Sequence, residues 1–568
     1  MNGIGDRAEG HVPEGRDAQL AVPGRATRRT RTRNSPGRNA QLAGGRRPAR
    51  AVAAGLLLAV ATLLAGCTVG PSQRPPVAVR GEHMPVPPAS APPTAAAPVP
   101  LPVPQPGFPT IEFRDCTGTL ATVVPAPADR VLRVGCALLT VEADPAQPGL
   151  GRTRIGLLRV GLADAPADRP PLLVVGDSAT RPSATGAAIL AGQVPVELLQ
   201  RYTLVGIDRR GAGIDDLDCG PAVARSAFVN IDPGGDGTLT SLNALLEQAR
   251  QVVQDCYLVH AGALSGYRTA STAWDIEQAR AALGVTQMSA IGVGDGATAL
   301  SIWARTHPAA AGRLVLDGPP NAALDEPDAA EARAAAAESA FDAFAAACAA
   351  EPTCPLGADP RAAVSAFVGR LRAQPITATD GRRLTAGMTV TALHTGLSEP
   401  AGWPDLAAAL GQAQNGVPDA LISRLVPLVT RGGEFDIALA TDCNDVQRRM
   451  TPAEVGDLTR RWRTAYPLFG ATMAQRLLAC GPWPTASPAP VPDPGTQLPP
   501  VLVIGTAHDP RGPLENSRRV ASETPGALFL SWQGGGTGAY PRTPCVVAAV
   551  DTVLVAGTLP LDGTLCPP

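Results

Sequence analysis

The sequence contains no lysine, so all 48 basic residues are arginine, and only six residues are histidine. Lysine is therefore excluded as a base anywhere in the chain. All six histidines lie at or before His508, so nothing after that point can titrate as an imidazole. There is little net charge: the formal value is -2, and the first 66 residues alone hold eleven arginines against four acids. The remainder is mildly acidic, which argues against a nucleic-acid partner, because such partners need a concentrated basic face. No CxxC pair or histidine-rich cluster occurs, so neither a metal site nor any other cofactor is expected. Long apolar runs are also missing. The uncharged stretch at 51–66 is too short to span a bilayer comfortably. What is present is a chain of 568 residues, 45% hydrophobic, with a mean hydropathy of +0.06, which has room for a large core.

The amino terminus reads as targeting sequence. Arg46, Arg47 and Arg50 precede the apolar run, which ends in Leu64-Ala65-Gly66-Cys67. That tetrapeptide resembles a bacterial lipobox, in which small residues let the signal peptidase close and the cysteine thiol receives the diacylglyceryl group. An ordinary secretory signal with an incidental cysteine is the alternative. Residues 1–45 make an unusually long leader, and translation beginning further downstream is the expectation. Between Pro71 and Pro109 lie fourteen prolines with no periodic apolar pattern. Proline favours the polyproline II helix, so this segment would reach on the order of 120 Å at about 3.1 Å per residue. It reads as a spacer from the membrane, in preference to a ligand for a groove-binding module. The organisation expected is a leader and signal peptide over 1–66, then a lipidated Cys67 and linker over 67–110. The protein would then be extracytoplasmic and membrane-anchored.

Setting Cys67 aside, ten cysteines remain, and an even number in an exported chain implies a disulfide set. From residue 172 onward, short runs rich in Leu, Val and Ile alternate with helical stretches. Strands are expected at 172–175, 202–208, 288–293 and 313–317, and helices at 272–283 and 297–306. Continuous apolar strands separated by helices predict a mostly parallel sheet covered on both faces. From about Asp325 the pattern turns to Ala-rich amphipathic helices, as at 330–350 and 405–414. Strand character returns at 501–505 and 527–530. The expected domains are a core over 111–324, a helical cap over 325–480 and a second part of the core over 481–568.

Several blocks then carry a resemblance. Tyr202 to Gly213 reads as a strand followed by Asp208-Arg-Arg210-Gly211-Ala-Gly213. Ala273-Trp274-Asp275 precedes a strand entering Gly292-Val293-Gly294-Asp295-Gly296. Arg313 to Gly318 follows, and Gly557-Thr-Leu-Pro560 and Gly563-Thr-Leu-Cys566 lie near the end. In order and spacing these are similar to the actinobacterial secreted tripeptidyl aminopeptidase-like hydrolases over most of 112–568. The resemblance implies an α/β-hydrolase fold with a helical cap. It also implies that neighbouring cysteines pair: Cys116 with Cys136, Cys219 with Cys256, Cys348 with Cys354, Cys443 with Cys480, and Cys545 with Cys566.

The same resemblance exposes departures. The family's strand-to-helix turn carries Gly-x-Ser-x-Gly with the serine exposed at the apex; here the apex is Gly294. The general base of the family sits in a Gly-x-Gly-His-Gly loop. The matching stretch is Gly534-Gly535-Gly536-Thr537-Gly538, and threonine cannot shuttle a proton near neutral pH. Asp509 matches the acid that orients the histidine, but a triad works as a unit. Where relatives carry a glycine-rich oxyanion loop, this chain has Val175-Gly176-Asp177-Ser178-Ala179-Thr180. Asp295 is one position past the apex, in the wrong register for a nucleophile, and is expected to cap the following helix. His508 is expected to be solvated or hydrogen-bonded. Asp232 and Asp236 lack the ligand spacing of a calcium loop and read as a turn.

Two functions follow as expectations. The first is a pseudoenzyme that binds a peptide or a partner protein in the cleft between core and cap. The second is a hydrolase, peptidase or esterase, that uses unusual groups such as Asp295 or His508.

Overall fold

The computed structural model describes residues 110–568 apart from 121–123, 125–126, 167, 180–181, 231–236, 431–433 and 485–495. The leader, Cys67, most of the linker, and Asp232 and Asp236 therefore lie outside the described residues.

The described chain forms a ten-stranded sheet and a helical layer inserted into it. Strands β1 (Arg114–Asp115), β2 (Leu132–Glu142) and β3 (Arg152–Leu162) run antiparallel along one edge, and β3 pairs antiparallel with β5 (Thr203–Ile207). From there the pairing is parallel through β4 (Pro171–Val175), β6 (Met288–Val293) and β7 (Ala311–Asp317). The short hairpin of β8 (Ile376–Thr377) and β9 (Arg383–Leu384) stands apart from this sheet. The main sheet resumes with β10 (Val501–His508), β11 (Ala527–Gly535) and β12 (Thr564–Cys566), again parallel. The mostly parallel sheet read from the sequence is thus present. The long antiparallel pair β2 and β3 at its edge was not anticipated.

The central strands are continuous apolar runs because helices cover both faces. Leu173, Val205, Ala290 and Leu316 pack with Ile276 and Ala279 of helix α1 (Thr269–Ala282), and with Leu300 and Trp303 of α2 (Asp295–Thr306). Their chain neighbours Leu172, Leu204, Ile291 and Val315 point the other way, toward Ala188, Leu198 and Val550. A side-chain period of two puts successive residues on opposite faces, so both faces of these strands are mainly apolar.

The insertion opens with α3 (Glu326–Ala350), whose first turn is capped by the Asp325 carboxylate accepting from the Asp328 N–H. It also holds α4 (Ala386–Gly396), α5 (Glu434–Asp445) and α6 (Gly470–Arg476). The insertion builds a second hydrophobic centre that includes Phe341, Phe344, Phe367, Trp462 and Phe469. Five disulfides join each cysteine from Cys116 onward to its sequence neighbour. Such a set belongs to an oxidising, extracytoplasmic compartment. Among the described residues no helix is long and apolar enough to cross a membrane.

Candidate functional site

The turn between β6 and α2 has Gly294 at its apex with φ +59° and ψ -129°, a backbone conformation that glycine reaches at little cost. The Gly294 N–H donates to the Asp317 carbonyl at 2.9 Å. On either side the spacing is tight. A Cβ on Gly292 would lie 2.6 Å from the Ala297 Cα, and one on Gly296 would lie 2.5 Å from the carbonyl oxygens of Val175 and Gly176. The two flanking glycines therefore let the helix start directly against β4 and β6.

The space above the apex is occupied by Asp177. A Cβ built on Gly294 falls on the Asp177 carboxylate and lies 2.9 Å from its Cβ and Cγ. Asp177 Oδ2 accepts from the Asp295 N–H at 3.3 Å, the amide that follows the apex. Its Oδ1 accepts from the Ala179 N–H at 3.0 Å and from Arg511 Nη2 at 2.8 Å. One carboxylate thus fills the position of a nucleophile's side chain and engages the backbone donor that would otherwise face a developing oxyanion.

Asp295 does not cap its own helix. Its carboxylate accepts from the Ser178 N–H at 2.8 Å and from Arg209 Nη1 at 2.7 Å, so it ties the altered loop to the turn after β5. Burial raises its pKa, opposed by the Arg209 guanidinium. The neighbouring Arg210 clasps Asp275 of α1 with Nε and Nη2 at 2.7 and 2.8 Å. Asp208 in turn accepts from the Ala184 N–H at 2.8 Å, and burial pushes its carboxyl up to about 7. The Asp208-Arg209-Arg210 block is accordingly a set of buried struts that hold the elbow in place.

Asp509 and Thr537 meet as the alignment with the family requires. Thr537 Oγ1 donates to Asp509 Oδ1 at 2.7 Å, and the Arg511 N–H donates to the same oxygen at 2.9 Å. Burial pushes the Asp509 carboxyl up to about 7, and its Oδ2 has no partner. The loop that carries Thr537 is anchored by Asp317, whose Oδ2 accepts from the Ala539 and Tyr540 N–H groups at 2.8 and 2.9 Å. So the acid and the base position are assembled around a hydroxyl that cannot act as a base, while the apex has no hydroxyl to activate.

His508 is hydrogen-bonded, one of the two outcomes expected for it. Its Nδ1 lies 2.8 Å from Ser339 Oγ in α3, joining core to cap. Ser339 sits in the interior of a 25-residue helix, where backbone N–H groups are committed to carbonyls one turn back. That surrounding offers no free amide pair for an oxyanion. Among the described residues no group of three or more His, Cys, Asp or Glu side chains could hold a metal ion.

The parts played by Asp177, Arg511, Asp317 and Ser339 were missed in the sequence. Asp177 was visible only as a change in the oxyanion loop, because its partners Asp295 and Arg511 lie 118 and 334 positions away.

Comparison with known proteins agrees with this geometry. The family described as TAP-like protein matches residues 466–566. The serine protease Hip1 of Mycobacterium tuberculosis is 26% identical over 466 residues, covering 76% of this chain and 87% of that protein. A carboxylesterase B of the same organism is 27% identical over 468 residues, with 78% and 88% covered. The tripeptidyl aminopeptidase of Streptomyces lividans is 24% identical over 473 residues, with 77% and 84% covered. A solved hydrolase from Pseudomonas aeruginosa overlaps 74% of this chain and 98% of its own at 14% identity and a TM-score of 0.33. The cysteine pairing, the elbow and the carboxy-terminal match make this chain similar to the tripeptidyl aminopeptidase-like α/β-hydrolases.

Proposed function

We propose that this protein is an exported lipoprotein, anchored through Cys67, whose hydrolase site is inactive and whose core–cap cleft binds a peptide or a partner protein. The observation that carries inactivity is the Asp177 carboxylate. It stands in the apex space above Gly294 and accepts from the Asp295 N–H, with Arg511 as its counter-ion. A substrate carbonyl finds neither an attacking oxygen nor a vacant oxyanion donor there. The names of its relatives, a protease, an aminopeptidase and a carboxylesterase, favour a peptide or ester-like ligand for the retained cleft. Turnover of tripeptidyl and p-nitrophenyl ester substrates by the purified protein tests this: no activity above a heat-treated control is expected, and enzyme-dependent turnover would refute it.

One observation favours a second reading, a hydrolase working through Ser339 and His508, which lie at 2.8 Å from each other. In that case activity would be present and would vanish in Ser339→Ala.

A further inference from the structure

Three consecutive apolar residues end the helix Leu239–His260 in contact with solvent: Tyr257, Leu258 and Val259 are 52%, 82% and 64% exposed. Single exposed apolar residues are ordinary, but these border a groove. It is lined by Val253, Gln254, Tyr257, Leu258, Pro482 and Pro484 and holds about 380 Å³. A second depression, lined also by Trp483, shares Tyr257 and Pro484 with it. The surroundings are rigid. Cys256, beside Tyr257, is bonded to Cys219, and Cys480, whose carbonyl accepts from the Trp483 N–H at 3.1 Å, is bonded to Cys443. Trp483 Nε1 donates to Asn444 Oδ1 at 2.9 Å, and Asn444 Nδ2 donates to the Leu264 carbonyl at 2.7 Å, so the indole is fixed. Among the described residues no charged side chain lines either depression. Half-exposed Tyr257 presents a hydroxyl that can donate to a ligand carbonyl.

An uncharged groove of aromatic and proline surfaces suits a polyproline II strand, whose rings pack against aromatic side chains while its carbonyls stay free to accept. This chain carries such a sequence. Residues 98–104 read Pro-Val-Pro-Leu-Pro-Val-Pro, with no charge. They precede Thr110 by six to twelve positions, a reach of roughly 19–37 Å for a polyproline II strand. Thr110 is held at one end of α1, where its N–H donates to the Ala282 carbonyl at 3.0 Å. The groove adjoins the other end. There α1 begins at Thr269, and Tyr267, two residues earlier, donates its N–H to the carbonyl of Leu264, which lines the second depression, at 3.2 Å. The 14 residues of α1 span about 21 Å, within that reach.

We infer that residues 98–104 dock in this groove as a polyproline II strand, leaving residues 71–97 as the free spacer. The docking does not depend on the state of the hydrolase site. Photocrosslinking in the purified protein with its linker tests it, with p-benzoylphenylalanine in place of Leu258, a position exposed enough to accept it. Irradiation should give a crosslink within one chain that mass spectrometry maps to residues 98–104, at a yield independent of protein concentration. Combining Pro98→Gly, Pro100→Gly, Pro102→Gly and Pro104→Gly removes the stiffness of the strand and should abolish that crosslink. Tyr257→Ala should lose most of it. Circular dichroism checks that each variant is folded. No crosslink, or one to residues 485–495, would overturn the docking of 98–104. So would a covalent dimer, which assigns the face to a second copy, or a lipid adduct in the presence of phosphatidylglycerol vesicles, which assigns it to a membrane. Undiminished crosslinking in the folded glycine variant would overturn the polyproline strand as the form that docks.

Discussion

The Asp177 carboxylate lies where a side chain on residue 294 would have to project. The loss of the serine is therefore not an isolated substitution in an otherwise open site. Glycine at the apex makes room, Asp177 enters it, and Arg511 neutralises the carboxylate at 2.8 Å. The three residues form one arrangement, and replacing any one of them changes what the others face.

Because the overlap is direct, Gly294→Ser should lower stability by about 2–4 kcal/mol, combining backbone strain with overpacking. Asp177→Ala should relieve the second part. In a double-mutant cycle the two substitutions should couple by about 1–3 kcal/mol, the serine being tolerated better once Asp177 is gone. Urea midpoints of the four proteins give this coupling, and simple additivity would contradict the packing described.

Restoring chemistry should need the same removal. Gly294→Ser with Thr537→His places a hydroxyl and an imidazole at family positions beside Asp509, yet Asp177 still holds the Asp295 N–H. The double variant should stay inactive toward p-nitrophenyl acetate, and adding Asp177→Gly should yield measurable esterase activity. Activity in the double variant alone would show that Asp177 does not obstruct the site.

The elbow's supports should be costly to break. Arg210 and Asp275 are each no more than 3% exposed in their side chains and are joined by two hydrogen bonds. Arg210→Met leaves a buried carboxylate without its partner and should cost about 3–5 kcal/mol. Denaturant unfolding checks this, and a loss below 1 kcal/mol would contradict a buried strut.

Stability should depend on pH through the buried acids. Asp509 and Asp208 are pushed up to about 7 and Asp317 to about 6, all chiefly by burial. In the unfolded chain each ionises near 3.8. Between these values the folded protein holds protons that the unfolded chain has released, so folding weakens as pH rises from about 4 to 7. The urea midpoint should therefore be higher at pH 5 than at pH 7.5, and Asp509→Asn should flatten the difference. A midpoint that rises over this interval would contradict the assignment.

Much of the core was legible because burial on both faces leaves a plain trace. The runs at β4, β6 and β7 are largely apolar, broken only by Ser289 in β6 and Arg313 in β7 before they end at glycine or aspartate, and the observed bounds lie within two residues of those read from sequence. The edge pair β2 and β3 was not, since these strands mix arginine and glycine with apolar residues. At the site, sequence showed what was missing at 294 and 537 but not what had replaced it. Asp177 gains its meaning from contacts with Asp295 and Arg511, which only the fold brings together. The expected cap role of Asp295 failed for the same reason, as Arg209 and the Ser178 amide outcompete its own helix for the carboxylate.

The central proposal is that no hydroxyl among the described residues is activated for acyl transfer. Intact-mass measurement after exposure to a fluorophosphonate probe tests it most directly. The account predicts an unshifted mass for the protein, both as isolated and as Ser339→Ala. A single stoichiometric adduct, abolished by Ser339→Ala or by replacing His508, would contradict it.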